Sequence, residues 1–300
     1  MRPPTQYFGS KGRLAPWIAS LLPRHRTYVE PFCGSAAVLF AKPASPTEII
    51  NDLDDQVVNF FRVLREDAPA LIRALQLTPY ARGEYEHTNP NAHDLDPVEQ
   101  ARRWYVRVNQ SISHVAGPGR PAGWAAAFNT NGADHAHKFT ALVDRLEACA
   151  ERLRRVHLEH RPAVEVIAKY GVVDAVIYCD PPYLAATRSA QTKRAGADYA
   201  VEYATEAEHC QLAAALHATP AAVLLSGYPS ALYAELYEAR GWWRVDRVIT
   251  RPTSNVSGGR GAAATEVIWS NRPLRQQLQL ATSPRPGAPE ARLTSEGATP

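Results

Sequence analysis

The sequence predicts an α/β fold: a doubly wound, mostly parallel sheet, split by a helical insertion and closed by a C-terminal β-hairpin. Three observations predict it. Short β-rich runs alternate with helical patterns at the start of the chain, the alternation stops between Arg65 and Arg155, and it resumes from Val156 onward. With 300 residues, 45% of them hydrophobic, the chain is long enough for a large core or for two domains.

The elements follow in order. Thr27 to Phe32 is the first β-rich run and ends at Cys33-Gly34-Ser35, before the helix-forming residues Ala36 to Ala41. Glu48 to Ile50 begins a second strand that runs into Asn51-Asp52-Leu53-Asp54-Asp55. Val57, Val58, Phe61 and Leu64 then recur at helical spacing. Within the interruption, Pro69 to Gln76, Pro97 to Ser111 and His137 to Arg155 read as helices, with a Gly/Pro/Asn-rich stretch from Gly117 to Gly132. Val156 to Glu159, Ala175 to Cys179 and Ala221 to Ser226 read as further strands, and Ser230 to Ala239 as a helix. Trp243 to Thr250 and Thr265 to Trp269 form the hairpin, joined by a Gly/Ser/Ala-rich loop. The expected organisation is a catalytic domain made of 1–64 and 156–272, a helical insertion over 65–155 and a disordered tail over 273–300.

Composition excludes several classes. No apolar run reaches the ~20 residues of a membrane-spanning helix, and Met1 to Ser10 lacks the apolar core of a secretory signal. The four cysteines, at 33, 149, 179 and 210, contain no Cys-x-x-Cys pair and read as small buried hydrophobes. His135 with His137, and His157 with Glu159 and His160, lack further ligands at metal-site spacing, so no metal is expected. A net charge of +3 is too weak to establish a nucleic-acid partner by itself.

Three strand ends carry candidate chemistry, where open α/β sheets bind ligands. Glu30-Pro31-Phe32-Cys33-Gly34 ends the first strand in a glycine turn that lets a ligand approach the backbone. Asp52 ends the second, at the separation expected of an acid that accepts from ribose hydroxyls. The other reading of Asp52 is a helix cap, a job that Asp54 or Asp55 could equally do. Asp180-Pro181-Pro182-Tyr183 follows the strand Val176 to Cys179 and joins an acid, a stiff turn with free carbonyl acceptors and an aromatic ring. That set suits a flat base with an exocyclic amine: two acceptors hold the amino hydrogens while the ring stacks on Tyr183.

These segments, in this order, resemble the Dam-like (alpha-type) DNA adenine-N6 methyltransferases. The likeness starts with Tyr7-Phe8-Gly9-Ser10-Lys11-Gly12. It continues through the Gly34 turn, Asn51-Asp52-Leu53-Asp54, Asp180-Pro181-Pro182-Tyr183, Ser226-Gly227-Tyr228 and Thr265-Glu266-Val267-Ile268-Trp269. The resemblance implies a Rossmann-like methyltransferase sheet using S-adenosylmethionine (SAM), held by Tyr7, Lys11, Phe32, Gly34, Asp52 and Asp180. It also implies transfer to N6 of a flipped adenine at Asp180, Pro181, Pro182 and Tyr183. Ala36 stands where the family's turn usually has a second glycine, and Pro162 where an acid often sits, leaving Glu159 as the nearest partner for the cofactor's adenine.

On this reading the insertion is the DNA reader. Arg102, Arg103 and Arg107 lie on one expected helix with Asn109 and Gln110, Arg120 lies in a loop, and Arg188, Lys193 and Arg194 form a basic stretch for phosphates. The expected partner is double-stranded DNA, with a cognate restriction endonuclease as a further one. The chain is expected to act as a monomer in the cytoplasm, bacterial or phage-encoded. Cytosine-N4 transfer and a catalytically inactive DNA-binding module are the competing readings; the acid at Asp180 favours adenine and the retained Lys11 and Asp52 favour catalysis.

Overall fold

A computed structural model describes residues 1–6, 11–88, 95–112, 123–126, 134–184, 203, 205–250 and 263–274, apart from the side chains of 249–250 and 263–264. Its centre is a seven-stranded sheet in the order β3-β2-β1-β4-β5-β7-β6. The strands are β1 (Thr27–Glu30), β2 (Thr47–Asn51), β3 (Val156–Glu159), β4 (Ala175–Cys179), β5 (Ala222–Gly227), β6 (Trp243–Thr250) and β7 (Ala263–Ser270). β1 to β5 pair with one another in parallel, and β7 runs antiparallel to both β5 and the edge strand β6. β1 neighbours both β2 and β4, so the chain winds outward in two directions from the β1–β4 boundary. That boundary is the switch point at which doubly wound sheets bind ligands.

Alternation along the strands assigns side chains to two cores, because successive residues face opposite sides of a sheet. Tyr28, Ile50, Val176, Tyr178, Leu224 and Ile268 lie in one cluster. Val29, Ile49, Ile177, Cys179, Val223, Leu225, Val267 and Trp269 lie in the other. The first face is covered by α1 (Ala15–Leu21), α2 (Ala37–Ala41), α3 (Asp55–Glu66), α4 (Ala68–Gln76), α6 (Pro97–Gln110), α7 (His135–Val143) and α8 (Leu146–Leu153). α5 (Arg82–His87) packs beside α6. The second face is covered by α9 (Ala163–Tyr170), α10 (Glu206–Ala218) and α11 (Ala231–Leu236).

The helices between β2 and β3 do not form a core of their own. Leu71, Leu75, Trp104, Tyr105, Phe139 and Leu146 share one buried cluster with Tyr28 and Val176 of the sheet. A buried ion cluster fastens this region to the lower end of the strands. Glu48 at the start of β2 accepts from Lys42 Nζ at 2.5 Å and from Arg152 Nη2 of α8 at 2.8 Å, and a second Arg152 nitrogen lies on its other oxygen.

Several expectations shift in detail. The strand expected to reach Phe32 ends at Glu30, because Pro31 has no N–H for the ladder. The single helix expected over His137 to Arg155 is two helices with a turn at Asp144 and Arg145, both burying residues against the same core. The helix expected over Ser230 to Ala239 breaks after Leu236 into a short 3₁₀ turn that ends at Gly241, φ 78°. The cysteine reading fails at Cys210, which is exposed, while Cys33, Cys149 and Cys179 are buried. The 253–264 loop, all but its last residues, and most of the 273–300 tail lie outside the described residues.

Burial alone raises the Glu48 pKa, yet the hydrogen bonds from Arg152 and Lys42 prevail and hold it below the usual carboxylate range. Its contribution to stability is therefore present above the unfolded carboxyl pKa and fades as pH falls through the lower folded value. Removing one member of a buried charged group leaves the others uncompensated, at a cost of about 3–5 kcal/mol. Urea denaturation of Glu48→Ala at neutral pH is expected to show a loss of that order. A change below ~1 kcal/mol, the range of an exposed pair, would mean that the cluster is not structural.

Candidate functional site

Four chain segments meet at the carboxyl ends of the parallel strands, and a fifth, the turn before α1, brings Lys11 to them. The first is the turn after β1. Gly34 and Ala36 both adopt positive φ, 46° and 52°, so the chain reverses sharply into α2. Asn51 at the end of β2 braces it: its side-chain amide donates to Pro31 O (2.8 Å) and Arg161 O (3.0 Å) and accepts from Arg161 N (2.9 Å). One amide thus ties together the ends of β1, β2 and β3. Beneath the turn, Glu30 accepts from the Tyr28 hydroxyl at 2.9 Å and from Leu39 N at 3.3 Å. Burial pushes its carboxyl up to about 8.

Asp52 is the second segment. Its Oδ2 accepts from Gly34 N at 2.8 Å and its Oδ1 from Asp54 N at 3.0 Å. The helix cap belongs to Asp54, which accepts from Gln56 N at 2.9 Å, so the two readings of the acidic run divide between two residues. Burial pushes the Asp52 carboxyl up to about 6, against the backbone N–H groups of Asp54 and Gly34, which favour its charged form.

The third and fourth segments are Asp180 and β7. Lys11, buried in the turn before α1, donates to Asp180 Oδ1 at 2.8 Å and lies 3.4 Å from Glu266 Oε1. The Tyr183 hydroxyl donates to Asp180 Oδ1 at 3.1 Å and to Glu266 Oε1 at 2.5 Å. Glu266 reaches this place because β7 is antiparallel: pairing of Gly227 with Val267 sets the start of β7 beside the carboxyl end of β5. Burial, followed by the Asp180 charge, raises the Glu266 carboxyl above its ordinary value in spite of Lys11.

The structure therefore brings together Lys11, Phe32, Gly34, Asp52, Asp180 and Tyr183 around the switch point. Tyr183 contributes differently from its expected role as a stacking platform. Its ring is buried, with the Lys11 ammonium 4.8 Å from its centroid and Tyr228 edge-on at 4.6 Å, so its hydroxyl is what faces the carboxylates. Phe32 has an edge-on neighbour that the sequence reading did not single out, Tyr203, at 5.4 Å. Glu266 also went without a role there. The available signal was an acid beside the apolar run Val267-Ile268-Trp269, which demands a buried cationic partner. Glu159 is taken up by Lys169, Arg161 and the Tyr170 hydroxyl.

The residues expected to read DNA are placed otherwise. Arg102 donates to Glu99, Glu84 (2.5 Å) and Thr78 (3.1 Å), binding α5 to α6, and Arg103 donates to Glu99 at 2.6 Å. Arg107 lies 4.8 Å from the Tyr85 ring centroid. Asn109 is buried and fully engaged, donating to Thr5 Oγ1 (3.0 Å) and Tyr105 O (2.8 Å) and accepting from Gln6 N (3.2 Å). Gln110 is buried and donates to Pro79 O at 3.1 Å. As placed, these side chains build the insertion rather than face a groove. Tyr7, Arg120, Arg188, Lys193 and Arg194 lie outside the described residues.

A sheet with this winding, and with a glycine turn, an acid and a proline-stiffened carboxylate at its switch point, defines an α/β enzyme site for a nucleoside-bearing ligand. Residues 7–250 match the family model of D12 class N6 adenine-specific DNA methyltransferases, and the chain belongs to that family. It is accordingly a SAM-dependent enzyme that methylates adenine in DNA. The Type II methyltransferase M1.LlaDCHI of Lactococcus lactis subsp. cremoris is 23% identical over 283 residues, covering 90% of this chain and 95% of that protein. Among solved structures, a precorrin 8W decarboxylase of Methanobacterium thermoautotrophicum aligns over 90% of this chain and 98% of its own, at TM-score 0.40 and 7% identity. A precorrin-6y C5,15-methyltransferase of Geobacter metallireducens GS-15 aligns over 87% of each chain, at 0.35 and 10%. Both likenesses are too slight to bear on activity.

The left-handed conformation at Ala36 explains what its methyl does in a position the resemblance assigns to glycine. A non-glycine residue there costs about 1 kcal/mol or more, which the buried methyl offsets by about 0.8 kcal/mol. Ala36→Gly is therefore expected to change stability by less than about 1 kcal/mol. Ala36→Val, β-branched at positive φ in a packed turn, should cost at least ~2 kcal/mol. Thermal melts of both variants check this; a Val variant as stable as the parent would contradict the turn geometry.

Proposed function

We propose that Asp180 and the backbone carbonyl of Pro181 accept the two amino hydrogens of an adenine turned out of double-stranded DNA, and that Lys11, Phe32, Gly34 and Asp52 shape the adjoining donor site. One observation carries this reading. Both hydrogen bonds to Asp180 fall on Oδ1, so Oδ2 has no partner among the described residues, while the side chain is 17% exposed. An acceptor held from behind and open in front is what an incoming amine requires.

The residues fit the donor. Asp52 is braced by two backbone N–H groups and suits ribose hydroxyls. Asp180 presents a carboxylate oxygen that no described donor occupies, surroundings that favour a cation. When bound, SAM supplies an electrophilic sulfonium methyl. The adenine amine is a poor nucleophile because its lone pair is delocalised into the ring. Acceptors on its hydrogens help most as positive charge develops on nitrogen, which lowers the barrier rather than tightening ground-state binding. Direct transfer of this kind calls on neither a metal ion nor a covalent enzyme intermediate.

The helices from α4 to α8 are the proposed source of sequence recognition, with Arg120 in a loop that reaches a groove, and Arg188, Lys193 and Arg194 are the proposed phosphate contacts. The name of the Lactococcus relative suggests a Type II system, so a cognate restriction endonuclease is the proposed partner of a monomeric enzyme.

Asp180→Ala is expected to abolish transfer of labelled methyl to unmethylated DNA in a chain that still folds, with a lowered melting temperature because Lys11 loses a charged partner; an active, folded variant would overturn the assignment. The Asp52 carboxyl must be ionised to accept from the turn and from ribose together. SAM affinity is therefore expected to hold above pH 6 and weaken by about tenfold one unit below it, measured by calorimetry. Asp52→Asn should bind weakly with no such step. A flat parent profile would remove Asp52 from the site.

A further inference from the structure

The carboxylate of Glu266 sits beside the reacting group without reaching outward. It is 1% exposed, and among the described residues its side chain meets only the Tyr183 hydroxyl and Lys11 Nζ, the two donors that also hold Asp180. We propose that Glu266 is a positioning residue for methyl transfer: by sharing Lys11 and Tyr183 with Asp180, it keeps both donors on one side of that carboxylate and leaves the other oxygen open to the adenine amine. This rests on the assignment of Asp180 as the amine acceptor.

Asp180 and Glu266 compete as acceptors for the same two donors. Lys11 carries three donor hydrogens and Tyr183 one, and a buried ammonium makes as many charge-assisted bonds as geometry permits. With Glu266 in place, the tyrosine proton has a shorter bond to Oε1 (2.5 Å) than to Asp180 (3.1 Å), and the ammonium sits between the two acids. Without that second acid, the bonds both donors made to it become available to Asp180. A donor shared between both oxygens then competes with the amine and withdraws negative charge from the group that must stabilise a developing cation. A purely structural acceptor for Tyr183 would not need to be an acid. A carboxylate is costly in this buried position, which points to a role for its charge.

Glu266→Gln keeps an acceptor of the same shape and removes the charge. By analogy with the outer partners that orient other catalytic ligands, the loss should be about 10- to 100-fold. It is expected in single-turnover kcat, with KM for DNA and the calorimetric SAM affinity within about twofold of the parent. Glu266→Asp should recover part of the rate. Tyr183→Phe deletes the hydroxyl while leaving every buried charge in place; Asp180 Oδ1 then loses one of the two donors that orient it, so this variant, which tests the same linkage should the Gln variant not fold, should also be slow in kcat. A parental kcat in either Glu266→Gln or Tyr183→Phe would overturn the proposal, as would a loss seen as weaker SAM binding or a lower melting temperature at unchanged kcat. Asp180→Ala, run alongside, separates the two claims. If it is inactive while Glu266→Gln is parental, only the positioning role fails; if it is active, the acceptor assignment fails too.

Discussion

A buried ammonium between two carboxylates is the interaction on which the rest of the site depends. Lys11, Asp180 and Glu266 come from the beginning, middle and end of the chain, and each alone would be a charge in a dry place. Two acids this close repel unless a cation lies between them, and a buried lysine is unstable without an acid. Each charge is tolerable only when the other two arrive. The topology ensures that they do: the β1–β4 boundary sets Asp180 at the switch point, and the reversed direction of β7 returns Glu266 to the same end of the sheet.

The approach to Lys11 is itself held by the insertion. Tyr105 of α6 donates to Pro4 O at 3.0 Å, and Asn109 one turn later grips Thr5 and Gln6. The helix that shares the core with the sheet therefore also fixes the backbone a few residues before the site's only described lysine. A displacement of α6 by bound DNA would be felt at residues 4–6. The region proposed to read sequence is thus tied, through buried side chains, to residues 4–6 ahead of Lys11.

Much of this was legible because strands and their ends leave strong local signals. Val176 to Cys179 followed by Asp180-Pro181-Pro182 marks a strand, its end and an acid at once, and Gly34 and Asp52 mark the neighbouring ends. Helices on the second face were harder to read. α10 is rich in alanine, so its buried His209, Leu212, Ala213 and Leu216 stand out little, although Thr205 and Glu208 form a capping box that announces its start. The division of α7 from α8 follows no proline or glycine and is imposed by packing. Arg102, Arg103 and Asn109 were read as facing DNA because residue type does not say which partner a polar side chain finds. Here Glu84, Glu99 and Thr5 lie within hydrogen-bond distance of them. Glu266 was missed for the converse reason: its partners lie far away in sequence, and only the sheet order brings them to it.

The most direct test of the account is a structure of the chain with an oligonucleotide containing its target adenine and a non-transferable SAM analogue. The account predicts the adenine N6 within hydrogen-bond distance of Asp180 Oδ2 and of Pro181 O, with Lys11 and Tyr183 still bonded to Oδ1. An extruded adenine whose amine contacts neither acceptor, or an Asp180 with both oxygens taken by protein donors, would contradict it.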